Sequence, residues 1–220
     1  MSDVSVKRPR DRRDTCSYDK FRYTPSMTAV GELADYAAGQ RGYFTRAQAT
    51  ELGVDDAGLR RALHSGRLEQ AVRGVYRFAP APPHRLERLF ATWLQLEPRT
   101  WAWERLGAPD ALVFGASALE NWEVGDLPAP TATFAVSRAR RTRLARTRLV
   151  VRRWGPDDWR VVDSLPTARV EFVVAELVHS HYDRGHLADA LGDARRRHLV
   201  DERYLAERLG EHADDLLVAS

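Results

Sequence analysis

Arg60, Arg61 and His64 fall within LRRALH, residues 59–64, in a chain whose other candidates for chemistry are sparse. Arginine pairs bidentately with guanine O6 and N7 or grips a phosphate, so adjacent arginines on one helix could read bases or fix register. Both uses stay open at this level. The two lysines, Lys7 and Lys20, lie near the N-terminus, so Pro156-Asp157-Asp158 could supply the carboxylates of a metal-dependent nuclease but not its usual lysine. The same absence removes a P-loop or kinase lysine. Gly115-Ala116-Ser117 with Asp126 has the outline of a nucleotidyltransferase, yet Leu127 and Pro128 follow where a second carboxylate is needed. There is no G-x-S-x-G nucleophile elbow. His179, His181, Asp183 and His186 form the one cluster with ligand chemistry. Residues two apart point to different sides of a helix, so these read as a solvated, partly capping group. No enzymatic activity, metal or cofactor is expected.

The elements around Arg60 are legible from local signals. Thr45 followed by Gln48 satisfies the capping-box pattern at a helix start, with Phe44 able to staple it, and Gly53 ends that helix. Asp55 caps a second helix whose apolar face is Leu59, Ala62 and Leu63, and Gly66 ends it. Its opposite face carries Asp56, Ala57, Arg60, Arg61 and His64, short near the start and basic further on, which suits a major groove. Strands are predicted over Leu68 to Val72 and Val75 to Phe78, with Arg73-Gly74 as the turn. Helix, turn, helix and hairpin within Gly42 to Phe78 predict a winged helix-turn-helix, with Arg67, Arg73 and Arg77 charging the wing. A preceding helix over Thr28 to Gln40 completes the bundle.

At 220 residues the chain has room for two small domains. The fold class expected is α+β, an N-terminal winged helix-turn-helix domain followed by a mixed α/β C-terminal domain. The divisions are a disordered basic arm over 1–24, the winged helix over 25–79 and an α/β domain over 84–220. Ala79-Pro80-Ala81-Pro82-Pro83 marks the boundary and a hinge, because it can neither continue a strand nor enter a helix beyond its first turn. No apolar run is long enough to span a membrane, the N-terminus lacks a secretion signal, and the single Cys16 fits a reducing compartment. A cytoplasmic protein without membrane attachment is expected.

Net charge is only +3, but it is unevenly placed. Residues 135–153 hold eight arginines and no acid, whereas the 67 residues from Trp154 hold fourteen acids against eight arginines. The run Arg138, Arg140, Arg141, Arg143, Arg146 and Arg148 repels itself unless an anion faces it: DNA phosphate, the carboxylates of a protein partner or transfer RNA. The alternative is a solvated loop paired with the acidic C-terminal helices. In this half, helices are predicted from Leu86 to Pro98, around Ser117 to Trp122, over Val170 to Val178, over Leu187 to Ala194 and after Asp201. Strands are predicted over Thr131 to Ser137, Leu149 to Trp154 and Asp158 to Val162.

The stretches GYFTRAQATELGV, LRRALHSGRLEQAVRGVYRF and VFGASALENWEVGDLPAP, with a helix start at Leu165-Pro166-Thr167-Ala168-Arg169, resemble the AbiEi family of bacterial antitoxins, found in toxin–antitoxin operons and phage-defence systems. The resemblance runs over roughly residues 28–180 and is strongest in the first domain. It implies an antitoxin that represses its own operon by binding operator DNA, with inverted repeats, and counters a nucleotidyltransferase-like toxin directly or functionally. Carried over residue by residue, DNA contact falls on Thr45, Arg46, Gln48, Arg60, Arg61 and His64. The alternative is a winged-helix transcriptional regulator whose C-terminal domain senses another protein or signal.

Overall fold

A computed structural model describes residues 28–180 and 182–210; the basic arm, Cys16, both lysines and His181 lie outside them. The first unit runs α1 (Thr28–Ala38), β1 (Tyr43–Thr45), α2 (Arg46–Glu51), α3 (Asp56–His64), β2 (Leu68–Val72) and β3 (Val75–Phe78). Its antiparallel sheet has the order β1-β3-β2. The capping box at Thr45 and Gln48 forms as its spacing predicts, and the Asp55 carboxylate accepts from the Gly58 amide at 2.7 Å. Gly53 and Gly74 take φ of +79° and +81°, the left-handed backbone that both turns require. Leu33, Phe44, Ala49, Val54 and Leu59 form the core between α1, α3 and the wing. Strand β1 has no signal in the sequence, because three residues buried on both faces show no alternation.

The second unit runs α4 (Glu87–Leu96), α5 (Ala102–Arg105), β4 (Ala111–Val113), α6 (Ala116–Trp122), β5 (Ala132–Val136), β6 (Thr147–Val151), β7 (Trp159–Val162), β8 (Leu165–Ala168), α7 (Val170–His179), α8 (Arg184–Arg196) and α9 (Glu202–Leu209). Its five-stranded sheet has the order β6-β5-β4-β8-β7 and is mixed, with parallel pairs β5/β6 and β4/β8. Phe172 of α7 meets Phe114 edge-on at 5.2 Å, and α8 and α9 pack on α7.

Two expectations are corrected here. Leu165-Pro166-Thr167-Ala168 is the fully buried strand β8 and not the start of a helix, which begins only at Val170. Proline and a following helix look like a first helical turn in sequence, but pairing with β4 and β7 overrides that local preference. The other is the strand expected over Leu149 to Trp154, which starts two residues earlier and ends three earlier, because Thr147 pairs with Ala132 and Val151 with Val136.

The expectation of a hinge at Pro80 to Pro83 is also corrected. Helix α4 lies against all three strands of the winged-helix sheet, and Tyr43 and Val75 belong to the core of the second unit. The Tyr43 hydroxyl accepts from the His84 amide and donates to Glu87, both at 2.8 Å. Arg41 reaches across to Asp163 at 2.7 Å. Gly42, at φ +82°, passes so close to the proline segment that a Cβ there would meet that of Ala81 at 2.3 Å. Proline ends elements, but it frees them only where the flanking side chains are not buried together.

Helix α9 is tied down by the carboxylate of Asp158, which accepts from the Gly155 amide at 2.7 Å, the Tyr204 hydroxyl and Arg208. Burial alone would raise the pKa of Asp158, but these bonds more than offset it and hold the group below its ordinary 3.8. Burial and the hydrogen bond to Asp158 push the Tyr204 phenol up to about 12. Burial likewise takes Tyr43 to about 12, with its Glu87 bond reinforcing the shift and the His84 amide opposing it. The depressed carboxyl stabilises the fold above pH 3.8, and that contribution is lost as pH falls through its folded value. The raised phenols stabilise below pH 10.0, and that contribution is lost between there and about 12. Urea midpoints measured against pH are expected to fall in both windows. In Tyr204→Phe the alkaline loss should shrink without vanishing, because Tyr43 remains.

Candidate nucleic-acid interface

Leu59 and Ala62 bury one side of α3, so its 3.6-residue repeat turns Arg60, Arg61 and His64 outward, where all three are exposed. Among the described residues no carboxylate pairs with Arg60 or Arg61, so their donors face solvent. Arg73, at the tip of the hairpin, is exposed and equally unpaired. Arg67 is exposed and donates to the Ser65 hydroxyl at 3.1 Å. Arg46 opens α2 with its Nε donating to Asp56 at 2.7 Å, and its amide donates to the Gly74 carbonyl at 2.8 Å. The starts of α2 and α3 and the wing turn therefore meet on one side. The amides of Arg46, Gln48 and Gly58 at these helix starts are taken by Gly74, Thr45 and Asp55, so what this side offers an anion is its arginine side chains.

Three residues expected on that surface are not there. Thr45 and Gln48 are fully buried: the Thr45 hydroxyl donates to the Pro98 carbonyl, and the Gln48 amide donates to the Thr100 carbonyl at 3.0 Å. Arg77 is 5% exposed, pairs with Glu69 and Glu87, and donates to the Ala81 carbonyl. These side chains join the two units instead of facing a ligand. Arg99 is a residue that sequence reasoning missed. It is exposed beside α2, loosely paired with Glu51 at 4.0 Å, and shares with Arg46 and Thr50 an open cleft of about 600 Å³. A single arginine after Pro98 carries no periodic or motif signal in the sequence.

The arginine run divides in two. Arg140 is held by Glu97 and Asp110, and Asp110 also accepts from the buried Arg105 at 2.8 Å, so this residue fastens the loop to the end of α4. Arg138, Arg141, Arg143, Arg146 and Arg148 are exposed, and no described carboxylate pairs with them. Among the described residues none of these five pairs with the acidic C-terminal helices; Glu176 of α7 takes Arg152 and Glu202 of α9 takes Arg195. The histidine cluster does not converge among the described residues. His179 lies against the Ala175 carbonyl, His186 against Asp126 at 3.1 Å, and Asp183 caps α8.

Fold and surface together define a winged-helix module fused to a mixed α/β unit, with exposed arginines on α3 and the wing of the module. Residues 32–79 match the family described as "Transcriptional regulator, AbiEi antitoxin", which bears out the resemblance over the winged helix. No curated protein matches the chain. Among solved structures, the RV2827C protein from Mycobacterium tuberculosis shares the fold, with 19% identity and a TM-score of 0.50 over 83% of this chain and 71% of that one. Among the described residues no helix is long and apolar enough to cross a membrane.

Proposed function

We propose that this chain is an antitoxin that binds operator DNA through α3, the start of α2 and the wing, represses its own operon, and opposes a nucleotidyltransferase-like toxin through its second unit. The observation that carries this reading is the pair Arg60 and Arg61, exposed and unpaired opposite a buried apolar face, inside the segment that matches the regulator family. Arg46, His64, Arg67 and Arg73 surround them and supply register on the phosphates. Inverted repeats are the expected operator form, and a cytoplasmic setting and a role in phage defence go with the reading. The test is a titration of the chain against its own promoter DNA at fixed salt, alongside growth of cells expressing the adjacent toxin gene. Failure to bind that promoter more tightly than random duplex would sink the repressor half, and failure to restore growth would sink the antitoxin half.

We further propose that the five exposed arginines between Arg138 and Arg148, which no described carboxylate pairs with, serve the toxin side. Reversing Arg138, Arg141 and Arg143 to glutamate, and sparing the anchored Arg140, should leave promoter affinity within about twofold while protection fails. If the span tracked DNA, removing each phosphate partner would weaken binding to all sequences alike and lower the salt slope by roughly one. Filter binding at two salt concentrations and a growth assay on the same folded variant separate these outcomes.

A further inference from the structure

Strand β6 is the outer strand of the five-stranded sheet, and among the described residues nothing pairs with its far side. The bonds at its ends fix which backbone groups face outward. The Ala132 amide donates to the Arg146 carbonyl and the Arg152 amide to the Val136 carbonyl, so residues 146, 148, 150 and 152 bond inward to β5. In a parallel ladder alternate residues bond to one neighbour, so the amides of Thr147, Leu149 and Val151 point away from the sheet. One outward acceptor is occupied, because the Val151 carbonyl accepts from the Arg152 guanidinium at 2.8 Å. Val151 itself is 48% exposed. On the face carrying Arg148, Val150 and Arg152, a cleft of about 420 Å³ opens between β5, β6 and the end of α7, walled by Pro128, Pro130 and Tyr182.

We infer that β6 is a docking edge for an extended, acidic segment of a partner protein, which adds as a sixth strand and lays an apolar side chain into this cleft. Main-chain pairing gives such an addition its affinity, and alternate side chains give it specificity. The unpaired Arg146, Arg148 and Arg153 at the strand, with Arg138, Arg141 and Arg143 in the loop before it, select acidic residues. Nucleic acid offers no strand to pair with the open amides. A second copy joined β6 to β6 would set two arginine clusters against each other, which repels. The opposite edge, β7, lies between Asp157 and Asp163 and does not share that charge. This inference rests on the reading that the basic surface of the second unit meets a protein.

The test uses the full chain and a fluorescent nonapeptide of alternating valine and aspartate, followed by anisotropy. The peptide should bind, and Val151→Pro should weaken it about tenfold or more, because proline removes an outward amide and no inward ladder bond. Val151→Thr, which keeps the amide, should bind within about twofold of the parent. On the unaltered protein, N-methylating one alternate set of peptide amides should abolish binding while methylating the other set should not. That second measurement stands whether or not the proline variant folds. Equal binding by both methylated peptides, no binding by the parent peptide, displacement by random duplex DNA, or a mass that grows with concentration through copy-to-copy pairing would each overturn the inference. Protection retained in folded Val151→Pro but lost on reversing Arg138, Arg141 and Arg143 would remove the docking edge and leave the toxin-facing reading standing.

Discussion

Arg60→Ala combined with Arg61→Ala is expected to abolish sequence-specific DNA binding while leaving the melting temperature unchanged. Both side chains are exposed and pair with no described carboxylate, so their removal creates no cavity and orphans no buried group. An arginine that grips a base or a phosphate is worth about 1–3 kcal/mol, so the double substitution should weaken specific binding by roughly 30-fold to 10⁴-fold. The two arginines need not play the same part. A side chain that reads guanine should relax preference at one position of the site, whereas one on phosphate should weaken all sequences alike and lower the salt slope by roughly one. Single substitutions titrated against a panel of point-mutated promoters at two salt concentrations assign each role. Affinity unchanged in the double variant would mean that α3 is not the helix that meets DNA.

Much of this surface was legible because its determinants are local. Asp55, Gly58, Gly66 and the Leu59/Ala62 face lie within one helix and its caps, so spacing alone orients Arg60 and Arg61. The hairpin from Leu68 to Phe78 is likewise defined by its own turn, and its strands match their predicted ends. The positions that sequence reading misplaced depend on partners far along the chain. Thr45 and Gln48 have the right types and spacing for a cap, which they form, but nothing near them discloses that the carbonyls of Pro98 and Thr100 close over them. Arg140 looks like its neighbours in a basic run, and only Glu97 and Asp110 set it apart. Strand β8 carries a proline and precedes a strong helix, so its local preferences conflict with the buried place between β4 and β7 that it fills. Tertiary burial decides such conflicts, and a linear pattern does not record it.

Gln48→Ala separates a buried strut from a DNA contact, and a large loss of stability is the expected result. The Gln48 side chain accepts from the Thr45 amide at 2.8 Å and from the Gln40 amide at 2.9 Å, and donates to the Thr100 carbonyl at 3.0 Å. Gln40 in turn accepts from the Ala102 amide at 3.1 Å, so one buried network ties α1 and α2 to the segment after α4. Truncation leaves several polar groups without partners, each costing about 1–3 kcal/mol where water cannot reach. A total of about 3 kcal/mol or more is a substantial part of the roughly 5–15 kcal/mol that holds a domain folded. The melting temperature should drop by roughly 10 °C, since about 1 kcal/mol moves a chain of this size by a few degrees. Because the network spans both units, they should lose stability together, and unfolding should remain a single transition. Gln40→Leu should reproduce much of the effect, and the double variant should cost less than the sum, as expected for residues sharing one network. Promoter affinity per folded molecule should meanwhile stay near that of the parent. The opposite pattern, an unshifted melting curve with weakened binding, would return Gln48 to the DNA-facing surface and contradict the packing of α2 against the second unit.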